Sequence, residues 1–269
     1  MTGALTTPER DAAVMTLRPL AGCFGAQVAG IDLSERLSPD RVEAVGQALY
    51  DYRVLVFRDQ HDVPPRALER FARYFGAPET APHPQHDDHP DTPAVKVLHT
   101  NSDRIDAPVV ESWHTDGATR EDTRYLSVLQ AIDVPPYGRD TMFADMVTAY
   151  DRLSAPMKAI VEDLVGINSW GDQKPGAPPV EHPIVFRDPR TGRKSLYANK
   201  IYTIAIKGMR PDESEAMLAF LFAQPRIPEF QLRVSWEPGT IVLWDNETTQ
   251  HYLVLDKAYD SVMHRVMVG

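Results

Sequence analysis

Cysteine is nearly absent from this chain: Cys23 stands alone, so no intramolecular disulfide can form and the stapled frameworks of small secreted domains are excluded. Basic residues are also in deficit. Lys and Arg number 28 against 38 Asp and Glu, and the net charge of −10 argues against nucleic acid or another polyanion as a partner. A small anionic substrate is still admissible, because one well-placed Arg or Lys can hold a carboxylate inside an acidic protein. No run of 18 apolar residues occurs, and the first residues (MTGALTTPERDAAVM) lack a basic head followed by an apolar stretch. Neither a spanning helix nor a signal peptide is therefore expected. The expectation is a cytoplasmic protein that avoids membranes and works on a small molecule as a homo-oligomer. No repeat at periods of 20 to 50 residues is visible, which excludes solenoids and propellers.

What is present is enough apolar residue, 43% of 269, to close a sizeable core. Residues 1–14 are polar and unpatterned and read as a disordered tail, and residues 15–269 read as one domain. Short runs of β-branched and aromatic residues predict strands at Arg53–Phe57, Ala94–His99, Tyr125–Ala131, Thr240–Trp244, His251–Leu255 and Val262–Val268. Helical spacing predicts helices at Asp40–Tyr52, Pro65–Tyr74, Ala155–Val165 and Asp212–Ala223, the first opened by Ser38-Pro39 as cap and first-turn proline. Asp188 to Gly192 reads as a turn between two strands. Ala77 to Pro93, with five prolines and three histidines, reads as a long surface loop or lid. Many short strands interrupted by helices make an α+β protein.

Among nine histidines, one pattern carries chemistry. In Trp113-His114-Thr115-Asp116-Gly117 a histidine and a carboxylate stand two residues apart, which on an extended backbone puts both side chains on one face. They can then take adjacent corners of a metal ion. The candidate third ligand is His251, in a late strand after Trp244-Asp245-Asn246. Two histidines and one carboxylate on one face of an octahedron leave three positions open, as in non-haem Fe(II) oxygenases. Arg265, in Met263-His264-Arg265, lies on an adjoining strand and could bind the far carboxylate of 2-oxoglutarate through a two-pronged contact.

These segments are in the order of the motifs of a known family. Gly25-Ala26-Gln27-Val28 with Gly30-Ile31-Asp32-Leu33, Val54 to Gln60, Trp113 to Asp116, Gly138-Arg139-Asp140-Thr141, Trp244-Asp245-Asn246, Gln250-His251-Tyr252 and Met263-His264-Arg265 together resemble the taurine dioxygenase (TauD/TfdA-like) family over nearly the whole chain. The resemblance implies a double-stranded β-helix, a cupin-like jelly roll, flanked by helices, with iron at one open end. It implies Fe(II) held by His114, Asp116 and His251, and 2-oxoglutarate and O2 as co-substrates. Thr141 matches a threonine that helps bind the 2-oxoglutarate carboxylate, and Arg265 is the arginine available for the same job.

The implied reaction oxidises a small carboxylate- or amine-bearing substrate, by default to its hydroxylated product, and releases succinate and CO2. Desaturation or oxidative removal of a heteroatom group is the alternative outcome of the same chemistry. Three departures from the family pattern are visible. Relatives carry two arginines after the distal histidine, but the earlier position here is Ser261. The histidine that meets the taurine sulfonate is displaced, with Ala81 aligned and His83 nearby, so taurine is not the expected substrate. An arginine after the Trp-Asp-Asn triplet is replaced by Glu247. The remaining substrate-contact candidates are His86, Lys96, Asn199, Lys200 and Tyr202. Two other classes use the same residues: a zinc hydrolase, against which stands the lack of His-Glu-x-x-His, and a ligand-binding jelly roll without catalysis.

Overall fold

The computed structural model describes residues 14–22, 24–81, 86–100, 112–122, 126–189, 192–254 and 260–269. In chain order the strands are β1 (Thr16–Pro19), β2 (Ala26–Ala29), β3 (Val54–Phe57), β4 (Asp87–His89), β5 (Thr92–Thr100), β6 (Leu126–Asp133), β7 (Thr141–Asp145), β8 (Val165–Asn168), β9 (Val180–Pro183), β10 (Val185–Arg187), β11 (Lys194–Leu196), β12 (Thr203–Ile206), β13 (Gln231–Val234), β14 (Ile241–Asp245), β15 (Thr249–Leu253) and β16 (Ser261–Val268). The helices are α1 (Pro39–Tyr52), α2 (Pro65–Arg73), α3 (Met146–Asp151), α4 (Ala155–Val161) and α5 (Pro211–Ala223). An eight-stranded major sheet has the order β1-β2-β3-β14-β6-β16-β5-β4, and a three-stranded minor sheet has the order β13-β7-β15. No described helix is long and apolar enough to cross a membrane.

The run Val54-Leu55-Val56-Phe57 is apolar throughout because β3 is covered on both faces, and each residue is at most 1% exposed. Leu55 and Phe57 face α1 and α2 in one apolar cluster, whereas Val54 and Val56 face the opposite way. The inner cluster also holds Phe143 of β7 with Leu232 and Val234 of β13, so the minor sheet closes over the inner face of the major one. Burying a side chain of this size stabilises the fold by roughly 1.5–3 kcal/mol, so the two-sided core is the main source of cohesion. A third apolar cluster, on the far side of the minor sheet, packs Ala144 against Met146, Leu218 and Leu221 of α3 and α5. The result is the predicted α+β jelly roll with flanking helices, in which β6 to β7 and β14 to β15 each pass from one sheet to the other.

Several expectations need correction. Arg53 is not in a strand: it caps α1 in the left-handed region, φ 64°, and its guanidinium bonds the buried Asp145 carboxylate at 3.0 Å. The helix expected to reach Val165 ends at Val161, and Val165 opens β8, because Gly166 must sit flat against Ile184 and Thr203. A Cβ there would come within 3.0 Å of the Ile184 side chain. Ala77–Pro93 is not a free lid. Ala77 and Glu79 exchange backbone bonds with Gly269 and Met267 beside β16, and β4 forms a hairpin with β5. Its residues 82–85, including His83, lie outside the described residues, as do Tyr125 and residues 1–13 of the expected tail. β1, β2, β7, β8, β9, β12, β13 and α3 escaped the pattern reading because they are four to six residues long, too short for periodicity to register.

His264 of β16 is buried, and its ring meets that of His89 edge to face at 5.2 Å. Burial, together with the charges of His89 and His99, pushes its pKa down to about 4. The unfolded chain therefore takes up the proton first. This contribution to stability is complete above the ordinary histidine range near 6.5 and is lost as pH falls through 4. His264→Gln is expected to remove on the order of 3 kcal/mol of the acid destabilisation, flattening the melting temperature against pH relative to wild type. Parallel curves for the two proteins between pH 7 and pH 3.5 would refute this.

Candidate metal centre

His114 and His251 are brought side by side by the backbone rather than by a shared strand. They form an isolated antiparallel bridge, His114 N–H to His251 O at 3.1 Å and His251 N–H to His114 O at 2.7 Å, and their rings lie 4.2 Å apart. The expected extended His-x-Asp backbone is only half right. His114 is extended, but Asp116 begins a turn that Gly117 permits at φ 81°. Asn246 holds that turn from the β14–β15 link. Thr115 donates to the Asn246 carbonyl at 2.5 Å, and the Asn246 side-chain oxygen accepts from the Asp116 backbone at 3.4 Å and from Trp244 Nε1 at 2.9 Å. Asn246 also donates to Ser127 Oγ at 3.0 Å, and Ser127 in turn donates to the Asp116 carboxylate at 3.2 Å.

One donor atom from each of His114, Asp116 and His251 lies within 4.8 Å of the others. Nδ1 of His114 bonds the Ser112 carbonyl at 2.8 Å, which leaves Nε2 unprotonated and turned to the centre, the arrangement common to metal-bound imidazole. Nε2 of His251 faces Asp116 at 4.0 Å. Burial lowers the pKa of both histidines, His251 to about 3 with the neighbouring His114 charge as the second cause. Burial alone would raise the Asp116 carboxyl, but Arg265, His251 and His114 hold it well below the usual carboxylate range. The set therefore presents two neutral imidazoles and one carboxylate at neutral pH, a fit for a divalent first-row transition metal.

A family model described as "Taurine catabolism dioxygenase TauD, TfdA family" matches residues 16–268. The chain belongs to this family. An alkylsulfatase of Acinetobacter baylyi is 31% identical over 280 residues, covering 95% of the dioxygenase described here and 84% of that protein. An alpha-ketoglutarate-dependent sulfate ester dioxygenase of Pseudomonas putida is 29% identical over 278 residues, covering 95% and 89%. A crystal structure of a taurine dioxygenase from Burkholderia xenovorans superposes with a TM-score of 0.84 at 33% identity, covering 94% of this chain and 89% of that one.

The other residues singled out in the dioxygenase sequence fall in different places. Arg265 Nη1 lies 3.7 Å from Asp116 Oδ2, so it borders the triad. Thr141 opens β7, where its hydroxyl accepts from Trp236 Nε1 at 2.9 Å. Lys96 is buried, with 2% exposure, and Lys200 is exposed. The Asn199 side-chain oxygen accepts from the backbones of Ile201 and Tyr202, so it shapes a turn, and Tyr202 packs edge-on against Trp170. Ser127 and Ser112 were missed. A serine at the start of a buried strand and one before His-x-Asp are not distinctive in sequence. Asn246 was assigned to a structural segment although it is the hub of the Asp116 turn.

Proposed function

We propose that this protein is an Fe(II)- and 2-oxoglutarate-dependent dioxygenase that oxidises a small organic substrate, with hydroxylation as the default outcome. The observation that carries the reading is the close approach of three donor atoms from His114, Asp116 and His251 with a guanidinium beside them. Bound there, Fe(II) supplies the activation of O2 that couples oxidation of a substrate C–H bond to decarboxylation of 2-oxoglutarate, giving succinate and CO2.

The chain's own groups do the rest. His114 and His251 offer Nε2 lone pairs, and the Ser112 carbonyl keeps the His114 tautomer correct. Ser127 and Asn246 hold the Asp116 carboxylate and its turn in one orientation. Arg265 is assigned to the distal carboxylate of 2-oxoglutarate, for which a planar fork of donors is suited. Thr141 is assigned to the same carboxylate. Indole N–H can only donate, so the Thr141 oxygen accepts from Trp236 and its own proton remains available to a ligand. Residues 15–269 act as one domain, and a cytoplasmic homo-oligomer is the proposed working state.

The test is succinate formation from 2-oxoglutarate by purified protein given Fe(II), O2 and candidate substrates. Metal-dependent, O2-dependent succinate is the expected result. Hydrolysis of a substrate supported by zinc without O2 would overturn the reading.

A further inference from the structure

The inner face of the major sheet carries a second cation that the reaction above does not use. β16 and β5 are antiparallel with Arg265 directly opposite Lys96, so both side chains leave the sheet on the same side. The row continues through Leu129 of β6 and Val242 of β14, both members of the apolar layer between the sheets, which identifies that side as the inner one. Lys96 Nζ donates to Asp88 Oδ1 at 2.5 Å and to the Pro93 carbonyl at 3.0 Å. Contact with Pro93 draws the ammonium back along β5. That direction runs beside the part of β16 where Met267 pairs with Ser127, whose hydroxyl touches Asp116. The ammonium is thus drawn toward the end of the sheet that bears the triad.

Like charges directly opposed on neighbouring strands repel, and an apolar side chain would fill this inner position without that cost. Ser261, which shares the inner face with Arg265 four residues earlier, brings no charge. A single arginine cannot serve both a co-substrate carboxylate and an acidic substrate, whereas an arginine and a lysine side by side can. An ammonium has three donors, of which Asp88 and Pro93 take two.

We propose that Lys96 is a specificity-determining residue that holds the anionic head, carboxylate, sulfonate or sulfate, of an acidic substrate while Arg265 holds the distal carboxylate of 2-oxoglutarate. This rests on the assignment of Arg265 made under the proposed function. Asp88, which is half-exposed on the short edge strand β4, keeps Lys96 charged and in place.

The experiment is calorimetry on anaerobic protein loaded with Fe(II) and 2-oxoglutarate, titrated with hexanoate, hexane-1-sulfonate and hexyl sulfate, and with hexan-1-ol as the uncharged probe. Wild type is expected to bind at least one acid ten times or more tightly than the alcohol, Lys96→Gln to lose that preference, and Lys96→Arg to keep it. Asp88→Asn, which removes a competing anion at the exposed edge, is expected to strengthen acid binding several-fold and tests the idea even where Lys96→Gln does not fold. An absent preference in wild type, a preference retained in Lys96→Gln, or weaker acid binding in Asp88→Asn would each overturn the proposal. So would a loss of 2-oxoglutarate affinity in Lys96→Gln equal to that of Arg265→Ala, because Lys96 would then serve the co-substrate. Failure of wild type to bind 2-oxoglutarate at all would instead overturn the functional reading beneath it.

Discussion

Asp116→Ala is expected to abolish Fe(II)-dependent succinate formation and to weaken Fe(II) binding by at least about 100-fold, since even residues that merely orient a ligand cost 10–100-fold. Asp116 is the only anionic donor of the triad, and its loss leaves two neutral imidazoles to hold a doubly charged ion. The same change strips a counter-charge from Arg265, 3.7 Å away and largely buried, so some loss of folding stability should accompany it. Asp116→Asn keeps the volume and the Ser127 contact while removing the charge. It should melt near wild type yet bind metal as poorly as the alanine variant. Metal titration followed by thermal melting separates the two effects. A turnover within tenfold of wild type in either variant would remove Asp116 from the centre.

Arg265→Ala is expected to raise the 2-oxoglutarate requirement roughly 100-fold, the equivalent of ~3 kcal/mol for a lost charge-assisted, two-pronged contact. Fe(II) affinity should change far less, because the guanidinium borders the carboxylate rather than supplying a donor atom. Lysine at the same position keeps a positive charge but not the fork, so Arg265→Lys should lie between the two. The measurement is the KM for 2-oxoglutarate at saturating Fe(II), alongside direct binding without O2. An unchanged requirement would move the role elsewhere. Arg139 is the first alternative, buried at the turn that leads into β7, ahead of the exposed Lys200.

Much of this was open to reading in advance, and the reasons differ by element. Residues Val54–Phe57 and Ile241–Asp245 announce two-sided burial by being apolar without alternation, and the α1 start is written in Ser38-Pro39. His114 and Asp116 advertise a metal site because a histidine and a carboxylate at that spacing have few other uses next to Trp113. Their mode of assembly was not readable. The bridge between His114 and His251 spans 137 residues of chain, and no local pattern reports a contact of that length. Ala77–Pro93 misled because proline and histidine content suggests a loop, whereas its backbone finds partners at the far end of β16.

Residue identity by itself determined which side chains could serve as metal donors, which stretches would form strands or helices, and that the partner would be a small molecule. Those properties follow from each residue's own chemistry and its near neighbours. Only the tertiary structure decided that Asn246 and Ser127 govern the Asp116 carboxylate, that Lys96 is buried opposite Arg265, and that Arg53 is spent on Asp145. Burial and register are properties of chains meeting across a sheet, and the energy of a charge depends on what the fold places around it.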